Sequence, residues 1–526
     1  MTRQLEHAAS RTPVHDRAAE SPFHRIVRNS AFNAAGTLLI VPFNFLALFT
    51  LARRLGAQPI GTFFTIFAIS AVIHWIADAG TTTVLTRRVA RTPERLKEIV
   101  PESLGVLTVV CLISTTLFAL IAMPWMAVFT DRVSFPVLIV AAAAMWSRHA
   151  LDFASNALRG LERFEFENFA RVVQTCTFFL FVWLWVYPET GGALAAFIAY
   201  AASNVIAAGI IWGVLLIKWQ CAGFRLNQEI VRRWWSESIP LGAGDVVRQF
   251  LMQMDTLLLA AFRPQAIVGL FSIAARPLQP LQLLPRIIVS VTFPALSRAA
   301  HVDRPAVSRL FEKTTLILWA ASLPISIGVA MAAEPMLLAT AGAEFVGAAG
   351  PLQILIWSTG LIFINAQLRF VLTALDAEGV YWRLICLTLG IKLALALALI
   401  PLWGLYGACL GSLLGELALC VAGVSALKKL DIASPHWLRL LRPMPAAAVM
   451  TAIMWPFTGS EASLTSLVLA GIAGGAAYAV VALAMGVVPW SEIKRVWNSI
   501  RKPKLVTGLD PGSVVAMSDS GEPVPG

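Results

Sequence analysis

Six basic residues stand inside long apolar runs of this sequence: Arg148, Arg248, Arg276, Arg286, Arg369 and Lys392. A charge on an isolated helix at the bilayer centre costs at least about 2.5–3.5 kcal/mol, so six of them predict a wet interior. Such cations can hold anions. Arginine offers a planar fork that matches phosphate, and lysine a compact point charge. The competing reading is that some snorkel to an interface; Arg286 and Lys392, nearest the middles of their runs, fit it least. Four of the five arginines fall in the seventh, eighth and tenth apolar runs, so the second lobe is expected to form the more positive wall.

The acids in these runs divide by spacing. Arg148 and Asp152 stand i,i+4, and Asp245 and Arg248 i,i+3, which puts each pair on one helix face. That arrangement fits internal neutralisation, and equally a coupling site in which a carboxylate changes protonation as an anion leaves its cation. Asp78, Asp255 and Glu416 have no basic partner at helical spacing. A buried, unpaired carboxylate suits a proton relay, and His74, one turn before Asp78, marks the same helix; a structural histidine is the bland alternative. No Walker A loop, HExxH, GxSxG or His/Cys cluster is present, and the six cysteines lie far apart without CxxC spacing. Neither catalysis, a metal nor a cofactor is therefore expected.

Elements that position these residues must cross a membrane. Of the 526 residues 58% are hydrophobic and only 13% charged, with mean hydropathy +0.73; soluble domains carry about 25% charged residues. Fourteen apolar spans are expected, near 31–52, 60–84, 102–123, 134–157, 168–187, 192–216, 239–262, 267–296, 314–340, 349–375, 381–401, 404–427, 441–457 and 463–488. Alternating the intervening segments places 31 of the 41 Lys and Arg residues on the side of the N-terminus and 4 on the other. This asymmetry predicts both termini in the cytoplasm. It also explains the +11 net charge without nucleic acid, because the basic residues come as short clusters between spans.

The chain repeats itself. RLGAQPIGTFFTIFAI around Gly61 returns as AFRPQAIVGLFSIAA around Gly269, about six helices later. The expected organisation is a flexible cytoplasmic leader (1–29), a six-helix lobe (30–217), an amphipathic cytoplasmic linker (218–236), a second six-helix lobe (237–430), two added helices (431–490) and a partly disordered tail (491–526). The fold class is thus an all-α membrane protein with about 14 transmembrane helices in two pseudo-symmetric bundles. Pro277, Pro280 and Pro285 predict bends in the eighth span.

Several segments together carry a family resemblance. They are NSAFNAAGTLL with Asn29 and Asn33, RRLGAQPIGTF, DAGTTTVLTRRVAR closing the second span, and NALRGLERFEFEN with Gly160, Leu161 and Phe164. The second half adds MDTLLLA with Asp255, VGLFSIAARP, FPALSR, INAQLRFVLTALDAEG and GLYGACLGSLLGELALC. In order and spacing, over most of residues 30–429, the chain resembles the oligosaccharide-flippase or polysaccharide-transport family of the MOP exporter superfamily, related to lipid II flippases.

That resemblance implies two lobes around a cavity that opens alternately to either side, with a lipid-linked sugar as cargo. It points to an undecaprenyl-diphosphate-linked oligosaccharide moved to the periplasmic leaflet of a bacterial inner membrane, for O-antigen, capsule or exopolysaccharide assembly. A polysaccharide polymerase and chain-length proteins are the implied partners. Arg276, Arg286 and Arg369 are then the foremost diphosphate ligands, with Arg248, Arg148 and Lys392 behind them. Asn33, Trp75, Trp146 and Asn365 are expected to meet the sugar, with Asn44, Phe250, Trp357 and Gln367 as further in-span residues of the same types. His74, Asp78, Asp152, Asp245, Asp255 and Glu416 are the ion-coupling set. Two other classes stay open: a multidrug-type exporter, which would want an acid-rich cavity, and a membrane glycosyltransferase or ligase, which would want a long outward loop.

Overall fold

The computed structural model describes residues 22–129, 134–300, 302–433, 435–458 and 464–487, and these are helices and short connections with no β-strand among them. Helix α1 (Pro22–Leu55) starts inside the segment expected as a leader; the rest of that leader and the C-terminal tail lie outside the described residues. Gly56, at φ 79°, ends α1 and turns the chain straight into α2 (Ala57–Asp78). The second expected span is two helices, because Ala79 (φ 45°) and Gly80 (φ 90°) break it before α3 (Thr81–Arg91). Then follow α4 (Leu96–Phe129), α5 (Phe135–Gly160), α6 (Phe164–Trp185) and α7 (Ala193–Trp219).

The expected linker is not a separate element. Residues 220–227 are irregular, Asn227 caps the next helix by accepting from Glu229 N at 3.2 Å, and α8 (Gln228–Phe262) runs on into the span. The eighth expected span is cut where its prolines predict, into α9 (Gln265–Ala275), α10 (Leu278–Leu281) and α11 (Leu283–Ala300). Next come α12 (Arg304–Thr340), α13 (Ala349–Ile356) and α14 (Ser358–Ala374). The 51 residues of α15 (Glu378–Lys428) would reach about 76 Å if straight. Instead, Gly404 (φ 54°) reverses the chain into a hairpin, so that Gly415 meets Lys392, Gly411 meets Ala396 and Gly407 meets the Leu399 carbonyl. The last helices are α16 (Met444–Met454) and α17 (Leu464–Ala484).

Ten helical stretches among the described residues are long and apolar enough to cross a bilayer, against fourteen expected. The difference has physical causes. Two expected spans share α15, and α16 has only 11 residues. Helix α6 carries Glu165, Glu167, Arg171 and Gln174, and α8 opens with a charged stretch.

The repeat is visible as packing. Gly61 of α2 lies against the Gln265 carbonyl, and Gly269 of α9 lies against the Ala57 carbonyl. Residues 265 and 269 follow 57 and 61 by the same 208 positions, so each copy presents its glycine to the other's backbone. In lipid, where apolar burial drives little, such backbone approach supplies the association. A second equivalence lies nearby. Arg54 donates to the Val182 and Trp183 carbonyls at the end of α6, while Arg263 donates to the Ile400 and Pro401 carbonyls at the end of the first arm of α15. Each arginine satisfies orphan carbonyls at a helix C-terminus.

The two halves also meet at the far end of α2. There the Ala79–Gly80 backbone packs on Gly242 of α8, and Arg88 reaches Glu237 at 2.8 Å and Glu102 at 3.6 Å. Arg233 bonds the same Glu102 at 2.9 Å. Trp234, in the segment expected as an amphipathic linker, is fully buried beneath the Arg88 guanidinium. Helices α16 and α17 pack on α12, fastened by Tyr478 Oη donating to the Ala320 carbonyl at 2.7 Å and Trp319 Nε1 to that of Leu440 at 3.0 Å.

Candidate functional site

Helix α2 aims one face inward through Phe67, Ser70, Ala71 and His74, spaced i, i+3, i+4, i+7. Helix α5 answers with Ala141, Ala144, Met145 and Arg148 at the same spacing, and the small side chains leave a cavity of about 210 Å³. Trp75, Tyr200 of α7 and Gln249 of α8 complete its walls. A second cavity of about 230 Å³ shares Phe67 and Tyr200 with the first. Its apolar lining comes from α1, α2 and α6, and its polar groups are Asn44, Gln174, Arg276 and Gln279.

Arg276 follows the last turn of α9, in the break that Pro277 makes. Its guanidinium lies 4.2 Å over the Phe64 ring, and Nη1 donates to Gln279 Oε1 at 3.2 Å. Among the described residues no carboxylate pairs with it. Neither cavity lining includes an Asp or Glu among the described residues, while the two together hold Arg148 and Arg276.

Behind the first cavity lies a charge network. Arg148 Nε donates to Asp152 Oδ2 at 2.8 Å and its Nη1 to Tyr200 Oη at 3.0 Å. The same carboxylate is reached by Arg171 of α6 at 3.3 Å and by His74 Nε2 at 3.3 Å. Arg171 and Arg159 also both grip Glu167, at 3.1 and 2.6 Å. His149 is fully buried and stacks on His74, ring centroids 4.0 Å apart. Arg171, Glu167, His149 and Tyr200 were not singled out in the sequence. Glu167, Arg171 and Gln174 at i, i+4, i+7 are the signal that marks this polar face of α6.

The remaining predicted residues fall elsewhere. Lys392 is not on either cavity: its Nζ lies 2.6 Å from Asp255 Oδ2, which Ser412 Oγ also contacts at 2.5 Å. Asn365 Nδ2 donates to Glu416 Oε2 at 2.8 Å, so this amide holds a carboxylate and not a cavity wall. Gln367 joins Thr315 and the Phe311 carbonyl in the core. Arg248 pairs with Asp245 at 2.6 Å on an exposed stretch of α8. Arg369 is exposed, its guanidinium 5.8 Å from the Tyr381 ring. Trp146 is exposed with Nε1 on Thr115, Trp357 is exposed, and Phe250 packs into the main core. The side chains of Arg286 and Asn33 lie outside the described part.

Asp78 is partnered by neutral donors and not by a base. Its two oxygens accept from Gly80 N, Thr81 Oγ1, Thr82 N and Thr82 Oγ1 at 2.8–3.2 Å, capping the start of α3. Arg148, Arg159 and Arg171 cluster in the first half with Asp152 and Glu167, and Lys392 is paired with Asp255 in the second. Among the described residues no group of three His, Cys, Asp or Glu is placed to hold a metal ion.

The comparisons agree with this architecture. A family model described as polysaccharide biosynthesis protein matches residues 26–300, just over half of the chain. No curated protein matches the sequence. Among solved structures, the lipid II flippase MurJ in an inward closed conformation superposes with TM-score 0.69 at 12% identity, covering 88% of this chain and 99% of that one. An inward-facing multidrug resistance MATE family transporter of the MOP superfamily gives TM-score 0.59 at 15% identity, covering 74% and 96%. A MOP superfamily transporter from Pyrococcus furiosus gives 0.51 at 16%, covering 77% and 95%. The chain therefore has the fold of MOP superfamily transporters and is a multi-pass membrane protein.

Proposed function

Because this chain belongs to the family of polysaccharide biosynthesis proteins, we propose that it is a flippase for a lipid-diphosphate-linked oligosaccharide. It carries its cargo from the cytoplasmic to the periplasmic leaflet of a bacterial inner membrane by alternating access. The undecaprenyl carrier is the family expectation, and both termini face the cytoplasm by the charge asymmetry of the loops.

One observation carries the reading: the paired cavities between α1, α2, α5, α7 and the α9–α10 break hold two arginines and, among the described residues, no carboxylate. An anionic diphosphate is attracted by such a lining, and the Arg276 guanidinium, which pairs with no carboxylate among the described residues, is its first ligand. The surrounding rings of Phe64, Phe67 and Tyr200 offer faces for sugar stacking, and Asn44, Gln174 and Gln279 offer amides for hydroxyls. Arg148, already bonded to Asp152, contributes field more than a free fork. A cationic drug, the cargo of the multidrug alternative, would meet repulsion in the same lining.

The test is Arg276→Ala in a cell that depends on this protein for its surface polysaccharide. The variant is expected to reach the membrane in normal amount and to lower polymer export at least about tenfold, the loss of one charged hydrogen bond at about 1.5–3 kcal/mol. Arg276→Lys should keep part of it. Undiminished surface polymer in Arg276→Ala would remove the diphosphate assignment, and efflux of a cationic dye that is lost with Arg276 would favour the multidrug reading.

A further inference from the structure

His149 is a fully buried imidazole whose two nitrogens both lack a hydrogen-bond partner, and His74 Nδ1, in the ring stacked on it, lacks one too. Buried polar side chains in native proteins are nearly always hydrogen-bonded, so three such atoms in adjoining rings call for a role. The rings are close to parallel, 17° apart, with centroids 4.0 Å apart. Two positive charges at that spacing repel strongly outside bulk water, so the pair accepts one added proton and not two. His74 Nε2 faces Asp152 Oδ2 at 3.3 Å, which leaves Nδ1 as the free position on that ring.

The groups around the pair set the sign of its response. Among the described residues, Asp78 is on the same helix as His74, Arg148, Asp152 and Arg159 are on α5, Glu167 and Arg171 are on α6, and α7 and α8 contribute Tyr200 and the neutral Gln249. Three guanidinium groups against three carboxylates cancel formally, so an added proton leaves the cluster one charge positive. His74 itself lines the 210 Å³ cavity beside Arg148. An anion there and a proton on the histidines would each favour the other.

We propose that His74 and His149 form a single proton-binding site, positively linked to an anionic group bound in the cavity that His74 lines. The linkage, though not the proton site itself, rests on the diphosphate-cargo reading above. By reciprocity, anion binding draws a proton onto the pair and a proton on the pair tightens anion binding. Affinity is highest when the pair is protonated and falls as rising pH removes the proton.

The experiment uses the full chain in nanodiscs and farnesyl-diphosphate-linked N-acetylglucosamine, whose diphosphate diester keeps a fixed charge over the range where histidine titrates. Wild type should bind it roughly 5- to 150-fold more weakly at the alkaline limit than at the acid limit. Calorimetry in buffers of different ionisation enthalpy should register uptake of up to one proton per probe. His149→Phe keeps the stacked ring without its nitrogens, and His74→Gln keeps a donor for Asp152 without titrating. Both should bind the probe with the pH dependence and proton uptake gone. Unchanged proton uptake in both variants overturns the linkage. A wild type that binds no probe at any pH overturns the cargo reading instead, and the proton site is then read from imidazole ¹⁵N resonances. One shared titration step that either substitution removes supports the site; independent steps, or none, overturn it.

Discussion

Lys392 and Asp255 allow a separation of structure from cargo binding. The ammonium and carboxylate lie 2.6 Å apart, with side chains only 13% and 9% exposed, and they tie the first arm of the α15 hairpin to α8. Lys392→Met leaves the carboxylate with the Ser412 hydroxyl as its remaining donor among the described residues, in a buried place. Breaking a buried pair from one side costs about 3–5 kcal/mol, while replacing both partners is close to neutral. Lys392→Met and Asp255→Asn should therefore each lower the midpoint of heat-induced aggregation in detergent by roughly 3–5 °C. The double variant should recover to within about 1 kcal/mol of wild type, a coupling far above the additivity error of distant sites. Size-exclusion of heated samples reads the midpoints, and surface-polymer staining reads export, which the double variant should retain. A double variant as unstable as the single ones would sink the pairing argument. A stable double variant without export would put Lys392 back among the cargo ligands.

Three further outcomes follow from the same geometry. Asp78→Ala removes the cap of α3 and should cost about 0.5–2 kcal/mol, whereas Asp78→Asn keeps an acceptor and should export polymer normally; a folded but inactive Asp78→Asn would restore the proton-relay reading. Arg54→Gln and Arg263→Gln each uncover helix-end carbonyls and should lose about 1.5–3 kcal/mol in thermal stability, with equal losses expected because the two arginines do equivalent work in the two halves. Gly61→Val would drive a side chain into the Gln265 backbone and should lower stability by about 1–3 kcal/mol or more, while Gly209→Ala, which meets nothing within 4 Å, should be silent in the same melt.

What the sequence made legible were features that local geometry decides. The i,i+4 pair Arg148–Asp152 and the i,i+3 pair Asp245–Arg248 formed as read, because one helix fixes both ends. Pro277, Pro280 and Pro285 broke their span, because a proline cannot donate to the helix ladder. The repeat around Gly61 and Gly269 was found as letters, and its reason is contact: only glycine admits the other copy's carbonyl. Partners brought from distant helices were not legible. Nothing in the string says that Lys392 finds Asp255 across 137 positions, or that His74 finds Asp152 and not Asp78. Arg171 was missed for a related reason. It counts as a loop charge by its place near a span boundary, yet the helix continues through it and turns it inward onto Asp152.

The placement of these pairs argues that the two halves, though built alike, have diverged in their polar chemistry. Both carry a carboxylate held by a base from another helix, Asp152 by Arg171 and Asp255 by Lys392. In the second half that pair stands apart from either cavity, whereas in the first it is joined by Arg148 and His74, which line one. The matched contacts lie where the two copies meet, at Gly61 and Gly269, and at the arginine-capped helix ends within each half. Away from them the halves differ: one holds an isolated ion pair and the other a charge network beside a cavity. Arg276, which pairs with no carboxylate among the described residues, comes from the second half but projects against Phe64 of the first. It therefore stands at the seam between the halves, and on the proposed reading a diphosphate bound there would touch both of them.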